Sequence, residues 1–550
     1  MLSLIQYRRL GRDVQREHES SIANAAAHQE KRASTTPSPD AQHGSQQRGN
    51  TAETASRRES TQSTFWVRSE GDDDPMDPRN WPLTSRSRNI AVLCLLIFVQ
   101  GWAGGAESMV TSEAAKEFGV SPQAENLATA MYLFGIATGA LFAGPLSETV
   151  GRNPTYLVST FIYLLFVLGA TLSPNFGGHI VCRYFVGLFS SATLSINGAS
   201  VRDQFRPVKR AFVFPVIAWA NVAGECPGLR ADTVLTPGAA PVIAPIAGGW
   251  LVSDPRLGWR WTGWVTLIIS AFAWSVAVIA LPETYLPVLL DWKAKQLRRV
   301  TGDGRYRAEH AASSSFFRRM REVLPLPVVF FAKEPVISVL GIYLVLLYAL
   351  LFSFLSGFEY MFKRTYGLST ALTGSCFGAI ALGCTVAALF APGLYSWARH
   401  RTEHVRGAPV DPEFRLWPAM VAAPCLPVCL FVLGWANRPT VSVWLSLAAC
   451  FVFGVVLISV YVSAYEYIID SYGEHAAVAL SSITLARYLV AGGMVMASRP
   501  MYEGIGVAWS LTIMGCFATV LAPAPVLFWR YGVRLRDKSK WAKGRAEFRM

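Results

Sequence analysis

Twelve times along this chain, apolar residues run on for about twenty positions with few charges between them. Twenty residues at 1.5 Å each span the hydrocarbon core of a bilayer, about 30 Å thick. In that solvent the backbone must satisfy its own hydrogen bonds, so spanning segments are helices or closed barrels. No run alternates at period two between turn signals, which excludes an outer-membrane barrel. Charged residues make up 16% of the chain, against about 25% in soluble domains. The fold class predicted is an all-α polytopic membrane protein.

The runs fall into two sixes. The first six lie near 89–109, 124–145, 154–173, 178–200, 211–253 and 261–281. The second six lie near 335–358, 371–395, 416–434, 440–464, 478–498 and 506–529. This predicts a polar, disordered tail over 1–88 and a six-helix bundle over 89–281. A charged central loop over 282–334, a second bundle over 335–529 and a basic tail over 530–550 follow.

Basic residues orient the spans. They crowd the loop after span 4 (Arg202, Arg206, Lys209, Arg210), the central loop, the loop after span 8 and the C-terminal tail. Opposite loops carry few. Both termini are expected in the cytoplasm, the basic loops facing anionic inner-leaflet lipid. The net charge of +13 follows from this asymmetry and does not imply nucleic-acid binding. The acidic stretch YEYIIDSYGEH after span 10 runs against the pattern; Glu466, Asp470 and Glu474 are expected as partners of basic loops.

Several chemistries have no support. Eight of the nine cysteines sit in apolar runs, as reduced packing residues do. His404 and His475 have no ligand-spaced partner, so no metal site is expected. No phosphate-binding GxxxxGK[ST] occurs, so an ion gradient must supply the energy, and no cofactor or enzymatic constellation is implied. No signal peptide is visible at the start.

Charges and glycines at the membrane carry the functional signal. GPLSETVGRNP (144–154) joins spans 2 and 3. Gly144 and Gly151 permit a tight turn. Glu148 and Arg152, four apart, can bridge to each other or to a neighbour, and a bridge that breaks in one state is a gate. This stretch resembles the loop 2–3 signature of the major facilitator superfamily, with Gly144, Leu146, Gly151 and Arg152 matching and Glu148 in place of Asp. DPRNWP (77–82), GWRWTGW (258–264), LPETYLPVLL (281–290) and YEYIIDSY (465–472) strengthen the likeness to the fungal twelve-helix drug:proton antiporters. The resemblance implies two pseudo-symmetric bundles, a central cavity and alternating access.

It also implies roles for single residues. Arg183 in IVCRYFVGLFSS, a charge within a span, is similar to the span 4 arginine associated with proton coupling; Glu107 and Glu359 are the candidate partner acids. Gln100, Trp102 and Ser108 in span 1, Phe352, Ser356 and Tyr360 in span 7, and Arg487 in span 11 are the candidate cavity residues. Relatives of this kind place an acid where Ser356 stands, so Glu359 is displaced by about one turn, roughly 5 Å. That either changes cation preference or moves the carboxylate toward solvent.

Span 5 is interrupted by ECPGLRADTVLTPG (225–238). Ala211 to Gly224 gives about 21 Å of helix, short of the core thickness. Removing the 14 residues leaves one continuous span and restores a likeness to the antiporter motif of helix 5, through Gly224, Pro241, Pro245, Gly248 and Gly249. Gly-Glu-Cys and Pro-Gly can be encoded by donor- and acceptor-like splice sequences. The insert reads as a retained intron or gene-boundary error; a true cavity-side loop is the alternative.

The expected function is proton-coupled export of hydrophobic or amphipathic small molecules by a monomer in the plasma membrane. Polyamine export and a non-transporting receptor on the same fold are the alternatives.

Overall fold

A computed structural model describes residues 1–33, 64–206, 213–218, 240–309, 321–406, 412–539 and 541–542, apart from single positions 70, 72, 255 and 322. The chain divides into two compact units.

The first unit joins residues 1–77 to 286–313. Its helix α1 (Leu2–Ala33) lies within the stretch expected as a disordered tail. α1 carries Val14, 2% exposed, and Tyr7, whose ring meets Trp292 edge-on at 5.4 Å. Trp292 belongs to a helix at Leu286–Thr301. Strand β1 (Phe65–Val67) pairs in parallel with β2 (Tyr306–Ala308), and Val67, Leu290, Ala294 and Ala308 form a small core. The polar composition between residues 34 and 63 masked the apolar positions before it; that stretch lies outside the described residues.

The second unit holds the membrane helices. In the N-terminal half these are α2 (Leu83–Gly105), a short α3 (Thr111–Phe118), α4 (Pro122–Val150), α5 (Arg152–Leu172), α6 (Phe176–Gln204), α7 (Ala240–Ser253) and α8 (Trp261–Ala280). Continuing after the helix at Leu286–Thr301, counted as α9, come α10 (Leu326–Lys333), α11 (Pro335–Phe358), α12 (Thr370–Ser375) and α13 (Phe377–Arg406). The chain closes with α14 (Trp417–Ala422), α15 (Cys425–Ala436), α16 (Val443–Tyr472), α17 (Ala476–Gly504), α18 (Gly506–Leu521) and α19 (Ala524–Lys538). Among the described residues, eleven helices or helix runs are long and apolar enough to cross a membrane. The fifth span is represented by residues 213–218 and by α7; Gly224 and the insert at 225–238 lie outside the described residues.

Helix boundaries follow from local chemistry. Ser121 accepts the Ala124 N–H at 3.1 Å and Pro122 opens α4, the usual cap-then-proline start. Asn175 caps α6 by accepting the Gly178 N–H at 2.7 Å. α11 runs into a π-helical stretch, Glu359–Arg364, which carries span 7 farther than expected.

The two halves pack alike. α4 lies along α6, as α13 lies along α16; α2 meets α7, as α11 meets α17; α4 crosses to α17, as α7 crosses to α12 and α13. Glycines set the closest contacts. A Cβ on Gly135 or Gly187 would stand 2.1 or 2.0 Å from a carbonyl oxygen of the facing helix. Gly383 and Gly454 repeat this in the other half, at 2.0 and 2.2 Å. With no hydrophobic drive between helices in lipid, such backbone approach supplies the dispersion that holds them.

Candidate functional site

Four ionisable side chains from three helices meet in the N-terminal half. Glu107 follows the last turn of α2, Glu125 opens α4, and His179 and Arg183 stand one turn apart on α6. Arg183 Nε lies 2.9 Å from Glu107 Oε2. Arg183 Nη2 donates to the Ala103 carbonyl at 3.0 Å, and the guanidinium sits 5.1 Å over the Tyr132 ring. Arg183 is 4% exposed, so its head group stays inside the protein and does not snorkel out to the interface.

His179 Nδ1 is 3.1 Å from the Ala170 carbonyl, which can only accept, so the proton is on Nδ1. Nε2 then faces two carboxylates, Glu107 Oε1 at 3.7 Å and Glu125 Oε1 at 3.8 Å. An imidazole lone pair aimed at two carboxylates is unfavourable, and one further proton among the three groups removes the repulsion. Phe118 and Trp259 cover the imidazole at ring distances of 5.4 and 5.8 Å. Trp259 and Arg260 are anchored on Glu117, at 2.5 and 2.9 Å. The GWRW stretch thus seals this cluster on the face of the molecule bearing α3.

Glu125 and His179 went unrecognised in sequence. The i, i+4 spacing of His179 and Arg183 was the available signal; nothing in the sequence brings Glu125 to them.

The candidate cavity residues separate into two groups. Ser108, Ser356, Glu359 and Tyr360 line an open cleft between the halves. Tyr360 also donates to Glu503 at 2.7 Å. Glu359 lines this cleft at the first residue of the π-helical stretch. Gln100 and Trp102 do not line it. Gln100 is wholly buried and donates to Thr160 at 3.2 Å, and Trp102 donates to Thr266 at 3.0 Å, so both fasten α2 to α5 and α8. Phe352 is 3% exposed and packs on Tyr348. Arg487 is buried among tyrosines of α11, α16 and α17.

At the opposite face, Arg152 pairs with a neighbour. Its Nε meets Asp203 Oδ2, at the end of α6, at 3.0 Å; Nη1 donates to Ser147; the guanidinium lies 4.6 Å over Tyr285. Gly151 has φ +109°, and a Cβ there would come within 2.5 Å of Glu283 Oε2. Glu283 accepts the N–H groups of Arg152 and Asn153, each at 3.1 Å, at the positive end of α5. The other half has a similar pairing: Arg415 meets Asp470, near the end of α16, at 2.9 Å and Glu466 at 2.7 Å. The acidic stretch expected beyond span 10 is therefore the end of that helix, and two of its acids share Arg415. Gly144, half-buried Leu146 and Glu148 occupy the last turns of α4, and Gly144 and Glu148 border a small cleft there with Arg202.

In α7, the carbonyls of Ala106 and Thr370 stand 3.0 and 2.9 Å from where a Cβ on Gly248 or Gly249 would be. Pro245 lies inside the helix and Pro241 near its start.

Two related helical halves, charges buried between spans and an open cleft between the halves are the architecture of a membrane transporter. Residues 92–496 match the Major Facilitator Superfamily. The chain belongs to that superfamily: it is a multi-pass membrane transporter and not an enzyme. It is similar to the MFS-type transporter kojT of Aspergillus flavus, with 37% identity over 88% of this chain and 84% of that one. It is also similar to the efflux pump bik6 of Gibberella fujikuroi, with 30% identity over 88% and 97%. Among solved structures, the proton:xylose symporter XylE bound to 6-bromo-6-deoxy-D-glucose has the same fold, with a TM-score of 0.56 at 13% identity over 82% of this chain and 96% of that one.

Proposed function

We propose that this chain is a proton-coupled exporter of hydrophobic or amphipathic small molecules, acting in the plasma membrane with both termini in the cytoplasm. The carrying observation is His179 Nε2 held between Glu107 and Glu125. That site needs a proton in one state and can release it when the helices part. Arg183 holds Glu107 in place and competes with the proton for it. Each proton charge crossing 100 mV supplies about 2.3 kcal/mol. The cleft mixes apolar and polar groups, with Ser108, Ser356 and Glu359 beside Leu355 and Tyr360, which suits an amphipathic ligand. The efflux pump among its relatives supports the outward direction.

The test is export from a yeast strain stripped of its own exporters, challenged with cationic and anionic lipophilic dyes. Export of at least one dye that collapses with protonophore supports the reading. Export of none, or export indifferent to protonophore, overturns it.

A further inference from the structure

Six buried arginines are present among the described residues, and five have a carboxylate or backbone carbonyl partner. Arg152, Arg183, Arg415 and Arg536 each have a carboxylate within 3.0 Å. Arg86 donates to the carbonyls of Arg79 and Gln204. Arg487 differs. It is 1% exposed, no carboxylate among the described residues pairs with it, and Nε and Nη1 have no acceptor, its side-chain hydrogen bond being to Tyr488. Around it stand the rings of Tyr348 at 3.9 Å, Tyr488 at 4.8 Å, Tyr461 at 5.4 Å and Tyr465 at 5.8 Å.

A guanidinium keeps its charge under all relevant conditions and carries five donors in one plane. Ring faces attract the charge but do not satisfy in-plane donors. A buried, uncompensated cation with idle donors is costly in a membrane protein. The tyrosine hydroxyls cannot supply the missing negative charge while protonated. What fits is a flat ligand whose ring stacks among the tyrosines and whose anionic oxygens take the guanidinium edge in bidentate fashion.

We propose that Arg487 and its tyrosine cage form the recognition site for a planar organic anion, a conjugated ring bearing a carboxylate or an equally acidic oxygen. The rings close over the cation in this structure, so the ligand enters as the halves separate. The site deepens the export reading by naming a substrate class. Binding itself requires neither a proton gradient nor a direction of transport, so the two readings fail separately.

The test uses the full-length protein in detergent at neutral pH, with 2-naphthoate and its neutral counterpart 2-naphthamide as probes, read by calorimetry. The expected result is at least tenfold tighter binding of the naphthoate. Arg487→Gln should abolish that preference, and Arg487→Lys should retain part of it, since charge survives and the bidentate edge does not. Equal binding of both probes to the unaltered protein, or binding of neither, overturns the proposal without any variant needing to fold. A preference for the naphthoate that survives in a monodisperse Arg487→Gln protein overturns it as well.

Discussion

Arg183 and Glu107 form a 2.9 Å ion pair between spans 4 and 1, their side chains only 5% and 14% exposed. Breaking a buried pair from one side leaves a bare charge, at a cost of about 3–5 kcal/mol. Arg183→Ala should therefore lower the melting point in detergent markedly, and adding Glu107→Ala should restore much of it. Glu107→Gln, which keeps an oxygen acceptor for Arg183, should cost less stability than Glu107→Ala and lose protonophore-sensitive export. Additive effects of the two alanine changes would count against the pair as the dominant interaction.

Glycine contacts predict a sharp contrast within the membrane. Gly187→Val forces side-chain atoms into the carbonyl of Tyr132, and overpacking of this kind costs about 1–3 kcal/mol or more. Gly493, in α17, has nothing within 4 Å of its would-be Cβ. Gly493→Ala should be neutral or stabilising by up to about 1 kcal/mol. Yield of folded protein after detergent extraction separates the two.

Acid should loosen the seal beside α3. Burial opposes ionisation of Glu117, but hydrogen bonds from Trp259 and Arg260 outweigh it and hold the carboxyl below its ordinary value. The stabilisation is thus present above the ordinary carboxyl pKa of about 4.3 and is lost as pH falls through the lowered folded value. With the Glu117 side chain 47% exposed, the effect stays under about 1 kcal/mol. Melting curves between about pH 3 and pH 6, spanning the ordinary carboxyl pKa, should show Glu117→Gln with the flatter acid limb; superimposable curves would discard the idea.

The lock at the 2–3 loop should respond to Asp203 more than to Glu148. Asp203 forms the ion pair with Arg152, at 3.0 Å. A cysteine at Ser195, which borders the nearby cleft, should react with maleimide several-fold faster in Asp203→Asn and change little in Glu148→Gln. The reverse ranking would assign the lock to Glu148.

The spans were readable because membrane thickness translates directly into run length. The resemblance of loop 2–3 and the oddity of Arg183 were readable as charges and glycines in apolar surroundings. Which way each side chain points was not. Every face of a buried membrane helix is apolar, so Gln100 and Trp102 carry no mark telling that they hold α5 and α8 instead of facing the cleft. Partners far apart in the chain were equally hidden: Glu125 lies 54 positions before His179, and only the packing of α4 on α6 joins them. The helix at Leu2–Ala33 was concealed by the polar stretch that follows it.

The paired glycines of α4 with α6 and of α13 with α16 leave no slack between those backbones. Each couple must travel as one piece, like two planks nailed face to face. Relative displacement is then confined to the seams where α4 meets α17 and α7 meets α12 and α13. Those seams are the bearings of the machine, and a change that roughens them should slow the turnover cycle while leaving ligand affinity where it was.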